Sequence, residues 1–386
     1  MESRIKKIGI LAFSSQVTGG VLQYTQSLID IFDNYDEFQV VVFVFEKDLF
    51  SVHKSEVRLI LMPERNWYKR SIMMAQCLLG FRSEWILSNN ERNLFKDIDF
   101  FINPSPALYP NFFLNKPFIF TVQDFQERYY PEFFSKFDRL NRWVVKRALS
   151  KSAAHIICES NHVKNDALNF LNISNNKISV IPSPPTKSIT EYLFKEDSLS
   201  NIKEKYNLPD EYIFYPAQFW KHKNHLRLAC AFEKLSKKND KLFLVLTGTK
   251  GNNYLNVMQK IRSLKIENKV LHLGYVDYDD LPYLFKLSKI LIMPSLFESI
   301  SIPIYEAFAL SVPVCCSNVV ALPEQTQGAA ILFDPLSVDD IAYKTQLLLS
   351  DDDLQLELSN NGKIIMDNFN FSDYKKNINN LVLKFL

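Results

Sequence analysis

Short apolar runs of β type alternate with longer helical patterns along the whole chain. Lys7–Phe13 reads as a strand and Gly20–Phe32 as the helix after it. Phe38–Phe45, Val57–Met62, Asp99–Ile102, Phe118–Val122, His155–Cys158 and Ile178–Ile181 continue the strand series. Strands that alternate with helices predict a parallel sheet covered on both faces. The pattern breaks at Ile181-Pro-Ser-Pro-Pro-Thr186, because prolines this dense continue neither a helix nor a central strand. Beyond a polar stretch the alternation restarts. Tyr212–Tyr215, Leu242–Thr247, Val270–Leu273, Ile290–Met293, Val312–Ser317 and Ala330–Phe333 read as strands. His225–Ser236, Asn253–Leu264, Asp279–Leu287, Pro303–Ala309, Val338–Leu349 and Asp352–Phe369 read as helices.

The predicted organisation is α/β: a first domain over 1–185, a linker over 186–205 and a second domain over 206–367. A final helix over 368–386 is expected to cross back to the first domain. Two doubly wound, Rossmann-like domains in tandem imply a cleft between them. With 386 residues, 47% of them hydrophobic, both domains have enough apolar material for a core.

Charge and cysteine content narrow the function. The 45 basic residues nearly balance the 43 acidic ones, so no global field favours nucleic acid. Cys77, Cys158, Cys230, Cys315 and Cys316 fit no metal-ligand spacing and read as free thiols in a reducing compartment. The polar start Met1–Lys7 lacks a secretory pattern, and no apolar run approaches a membrane span, so a cytoplasmic location is expected. Among only nine glycines, Gly19, Gly20, Gly248 and Gly274 follow strand-like runs, where open α/β sheets bind ligands. Gly80, Gly328 and Gly362 read as turn or helix-end glycines.

The most informative stretch is Pro294-Ser-Leu-Phe-Glu298-Ser-Ile-Ser301-Ile302-Pro303-Ile-Tyr-Glu306-Ala-Phe-Ala. It follows an apolar strand, and Pro303 suits the first helical position. A strand-to-helix turn there offers backbone N–H groups and a positive helix end to an anion. Two carboxylates beside such a turn make sense if the ligand also carries hydroxyls, as a nucleoside diphosphate sugar does. On spacing alone, two solvated surface glutamates remain an open alternative.

This stretch resembles the Glu-x7-Glu signature of retaining glycosyltransferases with the GT-B fold, family 4. The likeness extends through Val312-Pro-Val-Cys-Cys-Ser317, Leu322-Pro-Glu324 and Ala330-Ile-Leu-Phe-Asp-Pro335. Tyr215-Pro-Ala-Gln-Phe-Trp-Lys-His-Lys-Asn-His225 resembles a phrase of a bacterial branch that includes surface-polysaccharide mannosyltransferases. Leu246-Thr-Gly248 and Leu273-Gly-Tyr-Val-Asp277 fall in the same order as in that family. The first half is similar through Gly19-Gly20, Thr121-Val-Gln-Asp124 and Cys158-Glu-Ser160.

The resemblance implies roles for individual residues. Lys223 neutralises the donor diphosphate, Glu306 holds the ribose hydroxyls and Glu298 faces the donor sugar. Gly19 and Gly20 approach the phosphates, and Gly274-Tyr275-Val276 reads the base. Gln218, Gly248, Ser301 and Ile302 complete the donor site, while Gln123 and Asp124 stand beside the reacting sugar. The donor is expected to be a GDP- or UDP-linked sugar, with no separate cofactor and no metal. Asp351-Asp352-Asp353 reads as a helix start.

Three departures from the family pattern matter. Gln218 stands where an arginine is usual, and Gln123 where many members have a histidine. Glutamine hydrogen-bonds a hydroxyl but exchanges no proton near neutral pH. Ser299 and Ser301 replace loop glycines, a cost wherever the loop needs positive φ. Retention in this family is thought to need no protein nucleophile, because the leaving diphosphate takes the acceptor's proton. A sugar-nucleotide epimerase sharing the fold, or a paralogue that binds without turnover, are the competing readings. The absence of Gly-x-Gly-x-x-Gly after any strand argues against a dinucleotide oxidoreductase.

Two basic, apolar stretches suggest a membrane surface. Arg128–Lys151 carries seven basic and two acidic residues among Phe133, Phe134, Phe137, Leu140, Trp143 and Val144. Trp67–Trp85 sets Lys69, Arg70 and Arg82 among Ile72, Met73, Leu78, Leu79 and Phe81. Each also fits a helix packed on its own domain. The membrane reading suits a saccharide acceptor carried on lipid at the inner face of a bacterial membrane.

Overall fold

The computed structural model describes residues 5–13, 19–32, 38–46, 49–50, 58–62, 67–113, 116–185, 189, 196–369 and 371–386. They form two compact units: Met1–Ser183 together with Ser372–Leu386, and Pro184–Phe371. The expected linker lies partly outside the described residues. Its second part is no free tether, since Glu196–Lys205 is a helix within the second unit whose Ile202 enters that unit's core.

In the first unit the described strands are β1 (Lys6–Ala12), β2 (Phe38–Val44), β3 (Arg58–Leu61), β4 (Phe100–Asn103), β5 (Phe118–Thr121), β6 (His155–Cys158) and β7 (Ile178–Val180). They make a parallel sheet in the order β3-β2-β1-β4-β5-β6-β7, so the chain starts at the centre and winds outward both ways. β4, β5 and β6 are buried at every position, which is why they read as continuous apolar runs. The core beneath is rich in aromatics, with Phe101 stacked on Phe113 at 5.0 Å between ring centres. The C-terminal helix Phe371–Leu383 returns to this unit and buries Tyr374, Ile378 and Val382.

The second unit repeats the plan. Its described strands are β8 (Glu211–Pro216), β9 (Leu242–Thr247), β10 (Val270–His272), β11 (Ile290–Met293), β12 (Val314–Ser317) and β13 (Ile331–Phe333), in the parallel order β10-β9-β8-β11-β12-β13. The order reverses between β8 and β11, so their C-terminal ends flank a topological switch point where ligands bind in such sheets.

Two expectations change. Gly362 is not a helix end: it lies inside the helix Asp352–Asp367 and faces the ring of Phe308, where an added Cβ would come within 2.4 Å of a ring carbon. The glycine lets this helix lie close against helix Ile302–Ala309. That second helix begins one residue before Pro303, which therefore occupies its second position and still removes only an N–H that lacks an intrahelical partner.

Candidate functional site

Residues after β8 and β11 build the site in the second unit. β8 ends at Pro216, and Lys221–Lys223 then makes a single tight turn. Asn224 follows with φ +59 and ψ 27, a left-handed conformation that asparagine tolerates better than most residues. Its side-chain amide donates to the carbonyls of Pro294 at 2.9 Å and Pro335 at 2.8 Å. The Tyr215 hydroxyl donates to the Lys223 carbonyl at 2.7 Å, and the Leu296 N–H to the His222 carbonyl at 2.7 Å. The two loops are thus laced together through backbone atoms, and the Lys223 Nζ donates to Glu298 Oε1 at 2.6 Å.

The helix that follows starts in a buried frame. Ser301, at φ −119 and ψ 101, precedes it, and neither Ser299 nor Ser301 has positive φ. The expected backbone cost of serine in this loop therefore does not arise. Gln325 holds the turn instead: its Oε1 accepts from the Ser301 N–H at 2.8 Å and its Nε2 donates to the Ser301 carbonyl at 2.7 Å. The Ser301 hydroxyl is buried without a hydrogen-bond partner at the mouth of an eight-residue helix. A buried donor left in this way, beside the positive end of a helix, suits an anionic oxygen.

Glu298 and Glu306 are not surface charges, being 8% and 1% exposed. Glu306 accepts from the Tyr278 hydroxyl at 3.1 Å, and burial pushes its carboxyl up to about 7. Tyr278 thereby links the loop after β10, which carries Gly274, Tyr275 and Val276, to the helix carrying Glu306. Tyr275 is 75% exposed while Val276 and Ile302 are buried.

Gly248 occupies φ +112, and an added Cβ would meet the Ala217 carbonyl oxygen at 2.6 Å. Only glycine lets the ends of β8 and β9 approach so closely. Gln218, next to Ala217, accepts through its Oε1 from the indole N–H of Trp220 at 2.7 Å. His225, after Asn224, is buried between Tyr215 and Phe219 and pushed down to about 3 by burial, so it is neutral.

The first-unit candidates are held otherwise. Gly19 and Gly20 are the first residues of helix Gly19–Phe32, and residues 14–18 before them lie outside the described residues. The Gln123 amide donates to the Pro104 carbonyl at 2.9 Å. Asp124 is part of an ion network with Arg142 at 3.3 Å and Lys146 at 3.5 Å, and Lys146 also reaches Glu127 at 2.8 Å. Glu159, after β6, is buried, accepts from the Ser183 N–H at 3.3 Å and is pushed up to about 7 by burial.

The family profile described as Glycosyl transferases group 1 matches residues 199–364, and Glycosyltransferase Family 4 matches residues 18–184. The chain belongs to glycosyltransferase family 4. Curated relatives of this family member include O-antigen chain mannosyltransferase B of Escherichia coli, 33% identical over 39% of this chain and 40% of that protein. O-antigen chain mannosyltransferase RfbU of Salmonella typhimurium is 28% identical over 56% of each. The matched part spans between 24% and 56% of the curated relatives named as mannosyltransferases. A glycosyltransferase from Rickettsia africae ESF-5 superposes with a TM-score of 0.75 at 19% identity, covering 99% of both chains. HepE from Anabaena, solved with UDP and glucose, has a TM-score of 0.76 at 17% identity, covering 98% of this chain and 100% of that one. The two doubly wound parallel sheets are those of the GT-B fold.

Within that family reading, Asn224, Gln325 and Tyr278 are the residues that sequence reasoning missed. Asn224 left a weak trace, as an asparagine just ahead of a helical pattern. Gln325 and Tyr278 left none, because their partners lie 24 and 28 positions away in the chain.

Proposed function

We propose that this chain is a retaining, metal-independent glycosyltransferase. It moves a hexose, most simply mannose, from a GDP- or UDP-linked sugar to a saccharide acceptor in bacterial surface-polysaccharide synthesis. The observation that carries the reading is the Lys223–Glu298 pair at 2.6 Å, laced to the start of a helix that bears the buried Glu306. The lysine ammonium has three N–H donors, so one on Glu298 leaves two for diphosphate oxygens. Negative charge grows on those oxygens as the anomeric carbon–oxygen bond breaks, and a preplaced cation and helix end stabilise it. The acceptor oxygen forms its new bond to the anomeric carbon on the same face, and its proton passes to the departing diphosphate. Glu298 orients the sugar hydroxyls and Glu306 accepts from the ribose.

The names of the relatives favour mannose and O-antigen, and an acceptor carried on lipid would make the protein peripheral to the inner membrane face. A second reading, a paralogue that binds without turnover, draws on Gln123, whose amide exchanges no proton near neutral pH and donates one N–H to the Pro104 carbonyl. A panel of GDP-, UDP- and dTDP-sugars separates them. Transfer or slow donor hydrolysis that disappears in Lys223→Ala is expected. Binding without turnover, even with envelope lipid extract as acceptor, would establish the paralogue, and no nucleotide binding would overturn both.

A further inference from the structure

Helix Trp67–Leu78 in the first unit buries one side and exposes the other. Met73 and Gln76 face inward, and Lys69 is ion-paired with the buried Glu91. Trp67, Tyr68, Ile72 and Leu78 are exposed, and so is Leu79, whose N–H continues the helix by donating to the Ala75 carbonyl at 3.1 Å. At about 100° per residue these five side chains fall within an arc of about 140°, an apolar face that Ser71 interrupts. Phe81 and Trp85, also exposed, extend the surface beyond the helix end. Such a run of large apolar side chains is more than the scattered surface leucines of an ordinary domain.

Basic residues outnumber acidic ones around this face, with Lys69, Arg70 and Arg82 against the exposed Glu84. Arg70 is exposed on the helix and Arg82 just after it, and residues 67–83 contain no aspartate or glutamate. Tryptophan and tyrosine bring an apolar ring with a polar tip, the combination that settles at a lipid–water boundary. A basic rim around an apolar face complements anionic headgroups over acyl chains. Among the described residues no helix is long and apolar enough to cross a membrane, so this surface would lie on a bilayer and not span it.

We infer that the face formed by Trp67, Tyr68, Ile72, Leu78, Leu79 and Trp85, with Arg70 and Arg82, docks the first unit on an anionic lipid bilayer. This deepens the peripheral-membrane part of the proposed function by naming the surface, and it rests on that part alone.

The test uses the purified full chain and sedimentation with vesicles of pure phosphatidylcholine or of phosphatidylcholine with phosphatidylglycerol. Strong binding to the anionic vesicles and weak binding to the neutral ones is expected. Trp67→Ser combined with Leu79→Ser should lower the partition coefficient about tenfold or more, since each removes a large inserted side chain. Arg70→Glu should weaken binding to anionic vesicles only. Nucleotide affinity, measured in parallel, should stay unchanged in every variant, which shows that they fold. Wild-type protein that binds nucleotide but not anionic vesicles would overturn the inference. So would variants that sediment like wild type, or a wild-type dimer that the serine variants split without any vesicle binding, since a second copy would then own the face. Vesicle binding without nucleotide binding would leave this surface standing and sink the donor site instead.

Discussion

Glu306 in the second unit and Glu159 in the first are both buried carboxyls pushed up to about 7 by burial, yet their surroundings differ. Glu306 is held by one hydroxyl, from Tyr278, and sits on a helix whose start holds a buried unpartnered serine hydroxyl and a lysine–glutamate pair. Glu159 takes the N–H of Ser183, where the chain leaves the first unit, and lies close enough to Tyr24 and Tyr374 to add to the rise that burial gives both hydroxyls. The first carboxyl shares its helix with a buried polar atom that has no protein partner, the Ser301 hydroxyl. The second joins the N-terminal helix, a strand end and the returning C-terminal helix, so it reads as structural. A shifted titration therefore does not mark a ligand site by itself; the buried, unmet Ser301 hydroxyl is what sets the surroundings of Glu306 apart.

Removing Lys223 should separate the two regions most sharply. Lys223→Ala strips the cation from the donor diphosphate and leaves buried Glu298 unpaired. Donor turnover should fall by about a hundredfold to a thousandfold, with the first unit unaffected, as donor hydrolysis assays would show.

The next effect lies in pH. Both carboxyls bind their proton more tightly in the folded chain than at the usual value near 4.5. The stability they add is fully present below about 4.5 and is lost as pH rises through about 7. For Glu159 the span amounts to at most about 3 kcal/mol. Denaturant melts from pH 5 to 8 should flatten in Glu159→Gln, with nucleotide affinity unchanged. In Glu306→Gln it is nucleotide affinity that should lose its pH dependence, because ionised Glu306 accepts ribose hydroxyls more strongly. If Glu159→Gln shifts nucleotide affinity as well, the contrast between the two glutamates fails.

Smaller still is Gln325→Leu, which leaves the buried N–H and carbonyl of Ser301 without their partner. A dissociation constant for nucleoside diphosphate raised about tenfold, measured by calorimetry, is expected. Loss of binding for the nucleoside by the same factor would show that the clamp acts on the whole fold and not on the helix mouth. The smallest effect belongs to Ser301→Gly. With φ already in the extended region, glycine gains nothing from the backbone, and loss of one hydroxyl should weaken binding about twofold.

Much of this was legible along the chain. The fully apolar strands, the proline break near residue 182 and the restart of alternation imply two parallel-sheet units, because burial on both faces forces that pattern. The Glu298–Glu306 spacing and the Lys223 phrase pointed to the same pair of loops that the structure joins. The fit was poorer wherever a residue's meaning depends on its partner. Gln325 is one unremarkable amide among many until folding brings it to Ser301, 24 positions away. The serine replacements looked costly because the sequence cannot show φ. Gly362 looked like a helix end because its neighbour across the helix pair, Phe308, lies 54 positions earlier in the chain.

By itself, then, the sequence determined the class of fold, the strand ends that carry the candidate site and the residue types available there. Those follow from local periodicity and turn chemistry, which act over a few residues. Only the tertiary structure decided that Glu306 is buried and raised, that Lys223 meets Glu298, and that the helix mouth is framed by Asn224 and Gln325. Burial and hydrogen bonding between distant segments set these features, because desolvation and pairing depend on what folding brings alongside and not on the order of residues in the chain.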